Sequence, residues 1–187
     1  MFKVDDDIKT VWIIGKGPSL QFLKKEDIGE GLVITLNEAI LAVEPMNLPN
    51  LIYSLQKDGG KFKNCTDNKN CPERCGKMVR PKNATLILHD KESKYCYPNY
   101  PKRYVFSLAD LNLGDNVFSF IFAIQLAKRM GIEKFNFVSF DAHTKEDFNV
   151  YLPGKGIIGK DKMYPGQKWL LRPYIKNIDC EWITPVN

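Results

Sequence analysis

The sequence predicts an α/β fold: one domain over residues 1–187, a mostly parallel sheet of about six strands flanked by helices, and a cysteine-containing insertion. Three observations predict it. Short apolar runs recur along the chain, at Val11 to Ile14, Leu32 to Leu36, Leu51 to Leu55 and Thr85 to His89. Such runs read as strands buried on both faces, which is the habit of parallel sheets. Short helical pieces separate them, and one long apolar helix follows. The first run leads directly into Gly15-Lys16-Gly17-Pro18-Ser19. Two glycines there let the backbone turn sharply and approach a ligand closely.

Each element has a local reason. Pro18 and Ser19 suit the start of a helix, and Leu20 to Leu23 continues it briefly toward Gly29. The N–H groups at such a start attract an anion, usually a phosphate. Leu32-Val33-Ile34-Thr35-Leu36 is the second strand and stops at Asn37. Glu38 to Val43 forms a helical turn ended by Pro45. The third strand, Leu51 to Leu55, ends in Gln56-Lys57-Asp58-Gly59-Gly60. Residues 59 to 83 change character, becoming rich in Lys, Asn and Gly, and read as a surface insertion. Thr85 to His89 returns to strand, and Arg103 to Phe106 is a further short one.

Val117 to Met130 is the clearest helix, preceded by Asp115 or Asn116 as a natural N-cap and ended by Gly131. It is apolar almost all round, which means burial. Lys128 and Arg129 stand at its exit, where cations suit the helix dipole. Lys134 to Phe140 is then a strand, terminated by Asp141-Ala142-His143. Trp169 to Ile175 is read as a short helix interrupted by Pro173, and Glu181 to Thr184 as a last strand closed by Pro185. In parallel sheets ligands sit at the carboxyl ends of strands. Gly15 to Ser19, Asn37 and Gln56 to Asp58 all fall at such ends, and Asp141 and His143 stand at the end of the later strand.

Composition narrows the class. No apolar run reaches the length of a membrane span. Met1 to Lys9 carries three aspartates and no apolar core of a signal peptide, so a cytoplasmic protein is expected. The net charge of +5 is modest and dispersed. Nucleic-acid binding calls for a denser basic stripe with interleaved aromatics, so nucleic acid is not expected as a partner.

Taken together, the motifs carry a family resemblance. Gly15-Lys16-Gly17-Pro18-Ser19-Leu20 resembles the G-x-G-P-S-L signature of bacterial sialyltransferases. The same signature marks a wider Rossmann-like family that includes 6-hydroxymethylpterin diphosphokinases and motility-associated glycosylation factors. Asn37 occupies the place of an asparagine that contacts the nucleotide in the sialyltransferases. Gly114-Asp115-Asn116 through Gly131 to Ser139-Phe140-Asp141-Ala142-His143 matches the layout of their later block. The resemblance covers about residues 10–58 and 114–143. It implies a nucleotide or nucleotide-sugar site, a donor of the CMP-sugar type and a glycan acceptor.

The chain departs from that family in three ways. Lys16 stands where the signature has asparagine. His143 occupies the position of a nucleotide-contacting tyrosine. Only His89 and His143 are present, so no later histidine supplies the family's general base.

The expected roles follow. Gly15, Lys16, Gly17, Ser19, Asn37, Gln56, Asp115, Asn116 and Ser139 are candidates for nucleotide binding. His143 is a candidate base for an acceptor hydroxyl. Asp141 is a candidate catalytic partner that would hold a ribose hydroxyl or a metal-bound phosphate. The alternatives are an ATP-dependent diphosphokinase, needing Mg2+ near Asp58 or Asp141, and a non-catalytic nucleotide- or glycan-binding module. Cys65, Cys71, Cys75 and Cys96 suggest a small structural zinc site, with free thiols or disulfides as the alternatives. Cys180 is expected in the core. Gly154 to Lys162, with three glycines and three lysines, is expected to be a mobile lid near the ligand.

Overall fold

The computed structural model describes residues 7–56, 79–91, 93–94, 97–114, 117–141, 149–159 and 172–187. The strands are β1 (Thr10–Ile14), β2 (Leu32–Leu36), β3 (Ile52–Leu55), β4 (Thr85–His89), β5 (Arg103–Phe106), β6 (Lys134–Val138), β7 (Asn149–Leu152), β8 (Gly156–Gly159) and β9 (Asp179–Ile183). Seven of them form one sheet in the order β5-β4-β3-β2-β1-β6-β9. Every pairing in it is parallel. The fold is therefore α/β and Rossmann-like, its sheet holding seven strands among the described residues where about six are expected.

Strand order decides where a ligand would lie. The chain lays β1 to β5 successively outward on one side, then crosses back to place β6 on the other side of β1. The point where direction reverses lies between β1 and β6. In open α/β sheets that switch point opens a crevice outside the carboxyl ends of the strands.

Each face of the sheet is covered. β2 and β4 are buried along their full length, as their near-continuous apolar runs require. Side chains alternate, so Val11, Ile13, Leu32 and Ile34 share one face with Phe120, Phe122, Ile124 and Leu126 of the long helix. Ile14, Val33 and Val138 share the other with Leu20, Leu23, Ala39 and Val43.

The long helix, α2, runs Ser119–Arg129 and follows the four-residue α1, Ile40–Val43. Its start falls two residues later than the pattern predicts. The N-cap position is Phe118, in extended conformation and with no side-chain cap, rather than Asp115 or Asn116. Burial holds this helix in place. Its sheet side packs on the strands, while Tyr174, Ile175 and Ile178 pack against the same cluster. It ends in a Schellman motif: Gly131 lies at φ +80°, its N–H donates to Lys128 O, and Ile132 N–H donates to Ala127 O.

The segment around Leu20 is a 3-10 turn, Pro18–Phe22, and a 3-10 turn at Asn37–Ala39 leads into α1. α1 ends at Val43, as the pattern predicts, and Pro45 lies in the 3-10 turn that follows it, Glu44–Met46. β6 stops at Val138, two residues short of Phe140, because Ser139 adopts φ +57° and breaks the strand. Residues 172–175 are helical, within the stretch predicted to be so.

The glycine-rich tail differs most from expectation. Gly154 to Gly159 forms the turn and second strand of an antiparallel hairpin with β7. Glycine there serves the turn, where Gly154 and Gly156 take φ +81° and +75°. Residues 160–162 lie outside the described residues.

Among the described residues, no helix is long and apolar enough to cross a membrane. Cys180 lies partly buried on β9 against the main core cluster, and burial raises its thiol pKa, with Asp179 adding to the effect.

Candidate functional site

The carboxyl edge of the sheet brings the predicted residues together on four adjacent strands. From one side to the other stand Ser139 to Asp141 after β6, Gly15 to Ser19 after β1, Asn37 and Glu38 after β2, and Gln56 after β3. Neighbouring strands lie about 4.8 Å apart, so this polar row spans about 14 Å.

Two loops meet at the switch point. Gly15 N–H donates to Val138 O at 2.8 Å, and Gly17 N–H donates to Ser139 O at 2.8 Å. Ser19 donates twice to Asp141, from its N–H to Oδ2 and from its hydroxyl to Oδ1, both at 2.7 Å. The amides that suggest a phosphate cradle thus have protein acceptors. The Asp141 carboxylate ties the glycine turn to the end of β6.

Lys16 turns the other way. Its Nζ donates to Glu38 Oε2 at 2.5 Å, with the two side chains 10% and 19% exposed. Its carbonyl accepts the Tyr151 N–H at 2.8 Å, which fastens the β7–β8 hairpin beside the turn. Phe140 reaches back over Gly15, where an added Cβ would come within 3.2 Å of its ring. The same ring packs on Phe120 at 4.5 Å and Trp182 at 6.1 Å between centroids.

Strain collects at this edge. Asn37 and Ser139 both adopt the left-handed conformation, at φ +51° and +57°, on the strands that flank β1. Asparagine enters that region more readily than serine does. Ser139 is fully buried, and among the described residues its Oγ meets no hydrogen-bond partner. Gln56 is also fully buried. Its Nε2 donates to Asn37 O at 2.8 Å and to Ser54 Oγ at 2.9 Å, while its Oε1 meets no partner among the described residues.

Ser139→Gly relieves the backbone strain and removes an unsatisfied hydroxyl, at the expense of a more flexible unfolded chain. The net expectation is a gain of up to about 1 kcal/mol in stability. Chemical denaturation checks it, and a lower midpoint than wild type contradicts it.

The remaining predicted residues fall elsewhere. His143, Asp58, Asp115, Asn116, Cys65, Cys71, Cys75 and Cys96 lie outside the described residues. His89 is fully buried at the end of β4, edge-on to Phe122, with Nδ1 accepting the Lys91 N–H at 3.3 Å. Among the described residues, no three His, Cys, Asp or Glu side chains converge as a metal site. An open cavity of about 310 Å3 lies at the opposite edge, beside the amino ends of β3 and β4, lined in part by Glu44, Asn50, Thr85 and Lys102. None of the predicted site residues lines it.

Sequence reasoning missed Glu38, Tyr151 and Phe140 as members of this edge. Glu38 directly follows Asn37 at a strand end, and that position was the available signal. The partners of Tyr151 and Phe140 are set by pairing and packing across the chain, which no local pattern announces. No protein-family model matches the chain, and no curated protein matches its sequence.

Proposed function

We propose that the chain is a transferase of the glycosyltransferase type that binds a nucleotide or nucleotide-sugar along the carboxyl edge. One observation carries this reading: polar residues of four neighbouring strands line up on both sides of the switch point. An edge of that length suits an elongated ligand with several hydrogen-bonding groups. The ligand would lie across the glycine turn, with Asn37 and Gln56 toward β3 and Ser139 toward β6. Asp141 positions the turn through Ser19. His143, two residues further on, is the proposed base for the acceptor hydroxyl.

A thermal-shift screen against CMP, UDP, GDP, ATP and their sugar conjugates tests the reading. A ligand that binds only the folded state raises the melting temperature by mass action. The expected result is a concentration-dependent rise with one nucleotide class, followed by turnover of its sugar conjugate. No shift with any member overturns the reading. Binding without turnover would leave a nucleotide-binding module, and AMP release from ATP with a pterin would favour diphosphate transfer.

A further inference from the structure

Lys16 stands at the middle of the carboxyl edge, beside the switch point, with its side chain only 10% exposed. An ammonium carries three N–H donors. Among the described residues, Lys16 Nζ meets one acceptor, Glu38 Oε2. Leaving donors of a largely buried charge unfilled is unfavourable. A buried ion pair also contributes little net stability over an apolar pair of similar volume, so stability does not account for its placement. Nor do the Gly15, Gly17 and Ser19 amides offer an anion a seat, since each already donates to a protein oxygen.

We infer that Lys16 is the anion subsite of this edge, receiving the phosphate oxygens of the bound nucleotide on the N–H groups that Glu38 leaves open. Glu38 is a positioning residue. It holds Nζ at the crevice and tempers its charge, so that the phosphate is bound reversibly. This assignment rests on the nucleotide reading above. Free pyrophosphate offers the same oxygen chemistry, and the experiment separates the two.

The intact chain is titrated calorimetrically with CMP and ATP, with cytidine and adenosine as uncharged counterparts, and with pyrophosphate. The variants are Lys16→Met, Glu38→Gln and the double variant Lys16→Met/Glu38→Gln. The double variant avoids leaving a buried carboxylate unpaired, and circular dichroism checks each fold. Wild type is expected to prefer a nucleotide to its nucleoside by about tenfold or more, the worth of one charge-assisted hydrogen bond. Lys16→Met and the double variant should abolish that preference while nucleoside affinity stays unchanged. Glu38→Gln should enlarge it, because the carboxamide still accepts from Nζ without repelling phosphate.

A preference that survives in the double variant overturns the assignment and leaves the nucleotide reading standing. Pyrophosphate binding that Lys16→Met removes, with no nucleotide bound by wild type, supports the subsite and overturns the nucleotide reading. Binding of none of the probes by wild type overturns both.

Discussion

Gly17→Val is expected to lower folding stability by about 3 kcal/mol, the upper end of what overpacking a close-fitting site costs. The backbone conformation is not the obstacle. Gly17 lies at φ −60° and ψ 163°, which any residue adopts. The obstacle is space. A Cβ there would overlap Asp141 Oδ2 and stand 2.6 Å from Ser139 O. Asp141 is held by Ser19, and Ser139 O accepts the Gly17 N–H, so both oxygens are fixed by the contact that valine would break. Denaturant midpoints measure the effect. Adding Asp141→Ala should restore little, because the backbone oxygen remains. Stability equal to wild type in Gly17→Val would remove the packing role of this glycine. The glycine pattern suggests room for a ligand at this position, whereas the structure fills that room with the end of β6.

Phe137→Ala should be costlier still, by about 3–5 kcal/mol, the range for deleting a buried aromatic ring. Phe137 on β6 is fully buried. Its ring centroid lies 4.7 Å from that of Trp182 and 4.8 Å from that of Phe120, with Phe135 and Phe140 each at 6.2 Å. These rings come from β6, β9, α2 and the loop after β6, so they cannot close together over the cavity left by alanine. Single domains have about 5–15 kcal/mol of stability in all, and the loss is a large part of that. Urea unfolding of Phe137→Ala beside Phe137→Leu provides the measurement. The leucine variant should lose clearly less, because it keeps most of the apolar volume. Equal losses in the two would mean that the aromatic contacts, rather than the volume, carry the stability. Because Phe140 belongs to the same cluster and covers Gly15, Phe137→Ala should also loosen the glycine turn and weaken whatever binds at this edge.

Much of the frame was legible in the chain itself. β1, β2 and β4 fall where their short apolar runs place them, because a strand covered on both faces needs apolar residues at nearly every position. β5 falls where expected too, as an edge strand with Tyr104 and Val105 exposed. The long helix was legible because its ring of apolar residues fits only a buried segment. The polar residues expected at the carboxyl edge follow from the same strands once these are parallel. His143 and the cysteine cluster, by contrast, lie outside the described residues, so their expected roles remain expectations.

Which strand ends become neighbours, and which polar groups satisfy one another, is settled by the folded sheet alone. Local periodicity reports burial, and it is blind to order, so the insertion of β6 beside β1 and the resulting switch point appear only in the folded sheet. The Ser19–Asp141 pair joins residues 122 positions apart, and the Lys16–Glu38 pair joins residues 22 apart. The β7–β8 hairpin was hidden for a related reason. Its glycines read as loose chain until the antiparallel strand β7 pairs with them, and the Lys16 carbonyl holds that strand by accepting the Tyr151 N–H. Burial is a property of each residue and its near neighbours, and the sequence carries it. Hydrogen-bond and charge pairing across strands depends on loop closure between distant positions, and only the assembled sheet determines it.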